Sequence, residues 1–227
     1  MKASFKYSND NSRYVTGDEF FERLRKIVEP YYRHVHHDKG HVERVYKLAL
    51  RIASELKEPV DLDVLKAAAL LHDIARSMED EGLVDDHAVE GARVSRELLR
   101  KLQFPEEKVE KVAYCIEVHR FKNDVKPETI EAKVLQDADR LDMLGAVGLA
   151  RAFARGGWAN VPLHDPQVPP KERYDGHSAT VVNHLYEKIL RIKDTLHTEP
   201  ARRIAEGRHN FIEEFLDRFL KEWEGEI

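Results

Sequence analysis

A single cysteine among 227 residues excludes intramolecular disulfides and leaves thiol chemistry only Cys115. Its flanks, VAYCIEV, read as an apolar helix face, so Cys115 is expected to fill core space. Long apolar runs are also missing. No stretch approaches the roughly 18 residues that span a bilayer, and the opening MKASFKYSNDNSRY lacks the apolar segment of a secretory signal. A soluble, cytoplasmic protein is therefore expected. Positive charge is not in excess: 37 Lys and Arg against 42 Asp and Glu give a net charge of -5. That balance argues against a surface-wide nucleic-acid footprint and allows a local basic groove. There is no GxSxG word to raise a nucleophilic serine. Two-residue apolar alternation is wanting too, which argues against half-buried sheets.

What the chain does have is 35% charged and 42% hydrophobic residues, the composition of a folded protein with a strongly charged surface. Apolar residues recur at three and four positions, so the fold class is all-α, with helices expected over 18–33, 39–57, 62–76, 87–102, 105–119, 127–155, 173–196 and 200–223. Asp18, Asp61 and Asp86 can cap helix starts, and Pro105, Pro127 and Pro200 suit a first turn, where no N–H is needed. Residues 1–155 read as a compact helical core with its N-terminal helix. Residues 156–227 read as a loop and C-terminal helical extension packed on the same domain. The loop, GGWANVPLHDPQVPPKER over 156–173, cannot continue a helix; it is either a lid over a substrate or a plain connector.

The chemistry centres on LDVLKAAALLHDIAR, apolar around most of a helix and hence expected to be buried, with His72-Asp73 near its end. A buried carboxylate costs several kcal/mol unless compensated, and a divalent cation compensates it while using the histidine as well. His41, in HDKGHVERVYKLA, lies on the same helix face as Val45 and Leu48 and so points inward. In DADRLDMLGAVGLARAF, Asp139 and Asp142 share one side of an otherwise apolar helix. One cation would account for all of these groups.

The order His41, His72-Asp73, Asp139 resembles that of the HD-domain metal-dependent phosphohydrolases, whose motif is a His, a His-Asp pair and a distant Asp. The words HDKGHVERV, ALLHDIAR and DADRLDMLGAVGLARAF look like those of the small bacterial and archaeal members, over about residues 30–155. The tail, SATVVNHLYEKILRIKD through AEGRHNFIEEFLDRF, is similar as well.

The resemblance implies that His41, His72, Asp73 and Asp139 bind a divalent metal ion. Asp137 is the rival for the last place but points about 200° around the helix from Asp139. Two imidazoles and two carboxylates suit Mn, Fe, Co, Ni, Zn or Mg. His87, in HAVEGA, and His119, in IEVHR, fall where some members carry ligands for a second metal and others contact phosphate. The run His34, His36, His37 reads as a polar helix end. The implied reaction is attack of metal-activated water, its pKa brought from about 15.7 towards roughly 7, on phosphorus. Arg44, Arg140, Lys39, Arg120 and Lys188 are the candidate phosphate contacts, and Asp142 either orients water or pairs with an arginine.

The implied partner is a small phosphorylated molecule of nucleotide type. There is no GYP word of the kind that marks cyclic-dinucleotide HD enzymes. A diiron HD-type oxygenase and a non-catalytic nucleotide-binding module are the competing readings. A homodimer is left open, because FIEEFLDRFLKEW can pack on its own core or on a partner.

Overall fold

Helix α3 (Leu62–Leu71) owes its place to its sequence. Val64, Leu65, Ala67, Ala68, Ala69, Leu70 and Leu71 leave it almost no polar face, and all seven are at most 1% exposed. Fully burying each leucine is worth about 1.5–3 kcal/mol. Asp61 starts the helix, its carboxylate accepting from the Asp63 and Val64 amides. The computed structural model describes residues 17–34, 37–123 and 125–227, except the side chains of residues 33, 34, 37, 38 and 122.

Around α3 pack α1 (Asp18–Val28), α2 (Lys39–Glu55), α6 (Glu106–Val118) and α7 (Ile130–Asp142). Helix α5 (His87–Lys101) pairs with α6, and the short α4 (Arg76–Asp80) leads into α5. Beyond α7 come α8 (Gly145–Trp158), α9 (Val181–Glu187), a 3-10 segment (Ile189–Thr195) and the long α10 (Glu199–Trp223). Helix α10 lies on α8, α7, α2 and the 3-10 segment, so Leu185, Ile189, Ile212 and Leu216 belong to the same apolar core as α3. The fold is all-α apart from a two-residue antiparallel ladder, 33–34 with 37–38, among the described residues. Within those residues no helix is long and apolar enough to cross a membrane.

Several expected helices end early, for identifiable reasons. The span 18–33 stops at Val28, because Pro30 enters a 3-10 turn. The span 62–76 stops at Leu71, and His72 to Ala75 form a tight turn. The span 127–155 is two helices. Gly145 sits at φ +74, a left-handed conformation that L side chains rarely adopt, and the chain re-enters a helix at once. The Arg151 and Arg208 guanidiniums donate to the carbonyls of Asp142 and Leu141 at this break. Helix α8 then runs to Trp158, so the loop occupies 159–180, and the expected helix 173–196 exists only as α9 and the 3-10 segment.

Candidate metal centre

Three buried elements meet where α3 ends. The turn after Leu71 is fixed by Ile74 N–H donating to Leu71 O at 3.0 Å and Arg76 N–H to Asp73 O at 2.9 Å. It presents His72 and Asp73 towards His41 at the start of α2 and Asp139 on α7. His41 and His72 are fully buried and Asp73 is 3% exposed. His41 Nε2 lies 3.5 Å from Asp73 Oδ2, 3.4 Å from Asp139 Oδ1 and 3.2 Å from His72 Nε2. His72 Nε2 is 3.7 Å from Asp73 Oδ2. The other oxygen of Asp73, Oδ1, faces a second pair: His87 Nε2 at 3.3 Å and His119 Nε2 at 3.6 Å. Asp73 thus joins two donor sets, His41–His72–Asp73 and Asp73–His87–His119, each close enough to share an ion.

The tautomers follow from the outer hydrogen bonds. Every Nδ1 has an acceptor as its nearest polar neighbour: Asp142 Oδ2 at 2.8 Å for His41, Ala69 O at 2.9 Å for His72, Ile116 O at 2.5 Å for His119, and Glu79 Oε2 for His87, where Arg76 Nη1 stands farther off at 3.3 Å. Each Nδ1 therefore carries the hydrogen, and each Nε2 turns a lone pair inward. Without a cation, the His41 and His72 nitrogens would meet lone pair to lone pair. Two such nitrogens on each oxygen of one buried carboxylate make two donor sets of the kind that could hold a divalent ion, with the outer partners fixing each ring.

Electrostatics support the arrangement. Burial keeps His72 neutral, lowering its pKa to about 4. His41 is opposed by burial but raised overall by its bonds to Asp142 and Asp73. Asp142 loses stability to burial, yet its bonds to His41 and Arg44 and the nearby Arg151 bring it down to about 2. Its carboxylate accepts from Arg44 Nε at 2.7 Å, Arg44 Nη2 at 3.0 Å and Arg151 Nη1 at 2.7 Å. Glu79 plays the matching part behind His87, gripped by Arg120 and by Arg76 at 3.4 Å. The His41 and His87 imidazoles thus rest on carboxylates that are themselves held by arginines.

A cleft of about 1390 Å³ opens beside Asp73, His87, His119 and Asp139, with Arg140, Arg151, Arg155 and Lys188 along its walls. The Lys188 ammonium lies over the Phe121 ring at 5.1 Å and the Tyr174 ring at 5.5 Å. Burial, partly offset by Asp139 and reinforced by Arg155, lowers its pKa to about 8.

The expected site residues divide clearly by position. His41, His72, Asp73, Asp139, His87 and His119 come together. Asp137 does not: its carboxylate accepts from the His197 and Thr198 amides at 2.8 Å each and tethers the start of α10. Arg140, Arg120 and Lys188 line the cleft, but Arg140 donates to Thr195 O at 2.5 Å and Arg120 bonds to Glu79 and Asp86. Arg44 stands behind Asp142 rather than on the cleft wall, and Asp142 is 1% exposed, bonded to His41 and two arginines. Lys39 pairs with Glu29 on the surface, at 2.7 Å. His36 lies outside the described residues, as do the side chains of His34 and His37.

Sequence reasoning missed Glu79, Arg151, Phe121 and Tyr174. The only local signal was Glu79 one turn after Arg76, a spacing that usually means a surface pair.

The HD domain family model matches residues 39–144. The uncharacterized protein YpgQ of Bacillus subtilis is 36% identical over 197 residues, covering 83% of this chain and 85% of YpgQ. A crystal structure of an HD-superfamily hydrolase from Bacillus thuringiensis superposes with a TM-score of 0.71 at 35% identity, over 91% of this chain and 97% of that one. The crystal structure of YpgQ in complex with ADP superposes with a TM-score of 0.69 at 31% identity, over 90% and 94%. The motif order, the convergence of its side chains and these matches agree: the chain belongs to the HD-domain family of hydrolases.

Proposed function

We propose that this protein is a metal-dependent phosphohydrolase that cleaves a phosphate ester or anhydride of a small nucleotide-like substrate. In this reading His41, His72, Asp73 and Asp139 hold one divalent ion, and Asp73, His87 and His119 hold a second. The observation that carries it is four inward Nε2 atoms turned on one buried carboxylate at the head of a cation-walled cleft. The nitrogen and oxygen donors suit Mn, Fe, Co, Ni, Zn or Mg.

When bound, a divalent cation supplies Lewis acidity, lowering the pKa of a water and polarising a phosphoryl oxygen. The chain supplies the remainder. Asp142 and Glu79 fix the rings of His41 and His87 through Nδ1, so both donors are preorganised. Lys188 and the wall arginines offset the charge that develops on the phosphoryl group. A nucleotide fits one further observation: YpgQ, similar over most of its length, has been crystallised with ADP.

The test is an anaerobic phosphate-release screen of nucleotides and sugar phosphates, each with a panel of divalent ions. Release that is lost in His72→Ala while helical circular dichroism is kept supports the reading. A protein that releases nothing with any ion, or that turns over only while consuming oxygen, rejects it; the second result would point instead to a diiron oxygenase using the same residues.

A further inference from the structure

The loop between α8 and α9 is proline-rich and borders the cleft, the ordinary profile of a mobile lid. Its hydrogen bonds describe something else. Glu187, on the last turn of α9, borders the cleft yet is only 1% exposed. Its Oε1 accepts from the Lys171 amide at 2.9 Å and its Oε2 from the Ser178 hydroxyl at 2.5 Å. One carboxylate therefore closes the neck of the segment 171–178. Within that segment Lys171 Nζ donates to Asp175 Oδ2 at 2.8 Å and His177 O at 2.9 Å, and Gly176, at φ +101, makes the turn. Just upstream, Asn183 Nδ2 of α9 donates to Val168 O at 3.0 Å.

Tyr174 stands in the middle of this closed segment. Its ring meets His184 edge-on at 5.4 Å and faces the Lys188 ammonium, which lies over Phe121 as well. Ring faces attract an ammonium without neutralising it, so the cation is located yet keeps its charge for an anion. A carboxylate partner in the same place would have cancelled that charge.

We propose that residues 171–178 are a fixed positioning loop, closed on Glu187, whose Tyr174 aims the Lys188 ammonium at a phosphoryl oxygen of the substrate. Lys188 contacts the substrate in this scheme, and Tyr174 and Glu187 are positioning residues. The inference rests on the phosphohydrolase reading of the cleft, but its consequences can be read without turnover.

Two measurements on the full-length, metal-loaded protein test it. Hydrogen exchange at the Lys171 amide should speed up at least tenfold in Glu187→Ala. It should return close to the parent rate in Glu187→Gln, whose side-chain carbonyl can still accept from that amide while its NH2 donates to Ser178. ADP affinity by calorimetry should fall about tenfold in Lys188→Ala and severalfold in Tyr174→Ala, with Tyr174→Phe restoring most of the loss. The double variant Tyr174→Ala/Lys188→Ala should be no weaker than Lys188→Ala alone, because the tyrosine acts through the lysine. Additive losses, unchanged exchange in Glu187→Ala, or wild-type protein that does not bind ADP would each overturn the proposal. Absence of phosphate release alone would reject the hydrolase reading, leaving the exchange and coupling results to decide the loop.

Discussion

At the scale of single residues, the proposed centre depends on what stands behind each candidate ligand as much as on the ligand itself. His41 and His87 rest on Asp142 and Glu79, and those carboxylates rest on Arg44, Arg151, Arg76 and Arg120. Removing the charge behind an imidazole lets the ring and its tautomer drift, an effect that typically costs 10–100-fold in metal affinity or activity. Asp142→Asn and Glu79→Gln should each lose roughly that factor in metal affinity, read by competition with a chelating dye, at an unchanged circular dichroism spectrum. A variant that binds metal as tightly as the parent would show the outer carboxylate to be dispensable. Cys115 makes a contrasting prediction. Burial, with Glu131 adding to it, pushes its thiol up to about 12, so it should resist thiol reagents until the protein unfolds. Rapid labelling of the native protein would contradict its place in the core.

At the scale of elements, the ends of helices decide where the chemistry sits. Asp61 starts α3, and Lys108 bonds its carboxylate at 2.9 Å. Burial opposes ionisation of Asp61, but Lys108 and the Val64 and Asp63 amides bring its pKa below the usual 3.8. A carboxyl depressed on folding stabilises above its unfolded pKa, and that stability is lost as pH falls through the folded value. Asp61→Ala should therefore cost about 1–2 kcal/mol near neutral pH, and the gap from the parent should narrow below pH 3.8, measured by urea unfolding across pH. A gap that is constant with pH would mean that the charge contributes nothing. The break between α7 and α8 gives a second case. A Cβ added at Gly148 would stand 2.1 Å from the Met143 backbone oxygen, which cannot move aside as a flexible side chain would, so the break cannot relax cheaply. Gly148→Ala should destabilise the protein by about 1–3 kcal/mol or more and weaken metal binding, because α8 carries Arg151 to Asp142.

At the scale of the whole molecule, the proposed metal centre would tie α2, the end of α3, α5, α6 and α7 to one point. An ion present at about 100 times its Kd would add about 2.7 kcal/mol, or roughly 5–10 °C in Tm for a chain of this size. Chelation should lower Tm by that amount and re-addition of metal should restore it; an unmoved Tm would argue against a bound ion.

The all-α class, the buried α3, the Asp61 and Asp86 caps and the order His41, His72-Asp73, Asp139 were legible in the sequence, because each depends on spacing within one helix or on residue type alone; the cap expected of Asp18 is not there, since α1 begins on that residue with Gly17 at the N-cap and no capping side chain. The choice between Asp137 and Asp139 was half legible: helix geometry separated them by angle, and only α10 explains what Asp137 does instead. Other features were decided by the tertiary structure. Glu79 behind His87, Arg151 behind Asp142, and Tyr174 beside Lys188 join residues on different elements, and nothing in local periodicity reports where a loop or a later helix returns. The sequence by itself determined the helices and the ligand types they carry. Which side chains face one another across the core followed only when packing set the helices at their angles and the left-handed turn at Gly145 redirected the chain.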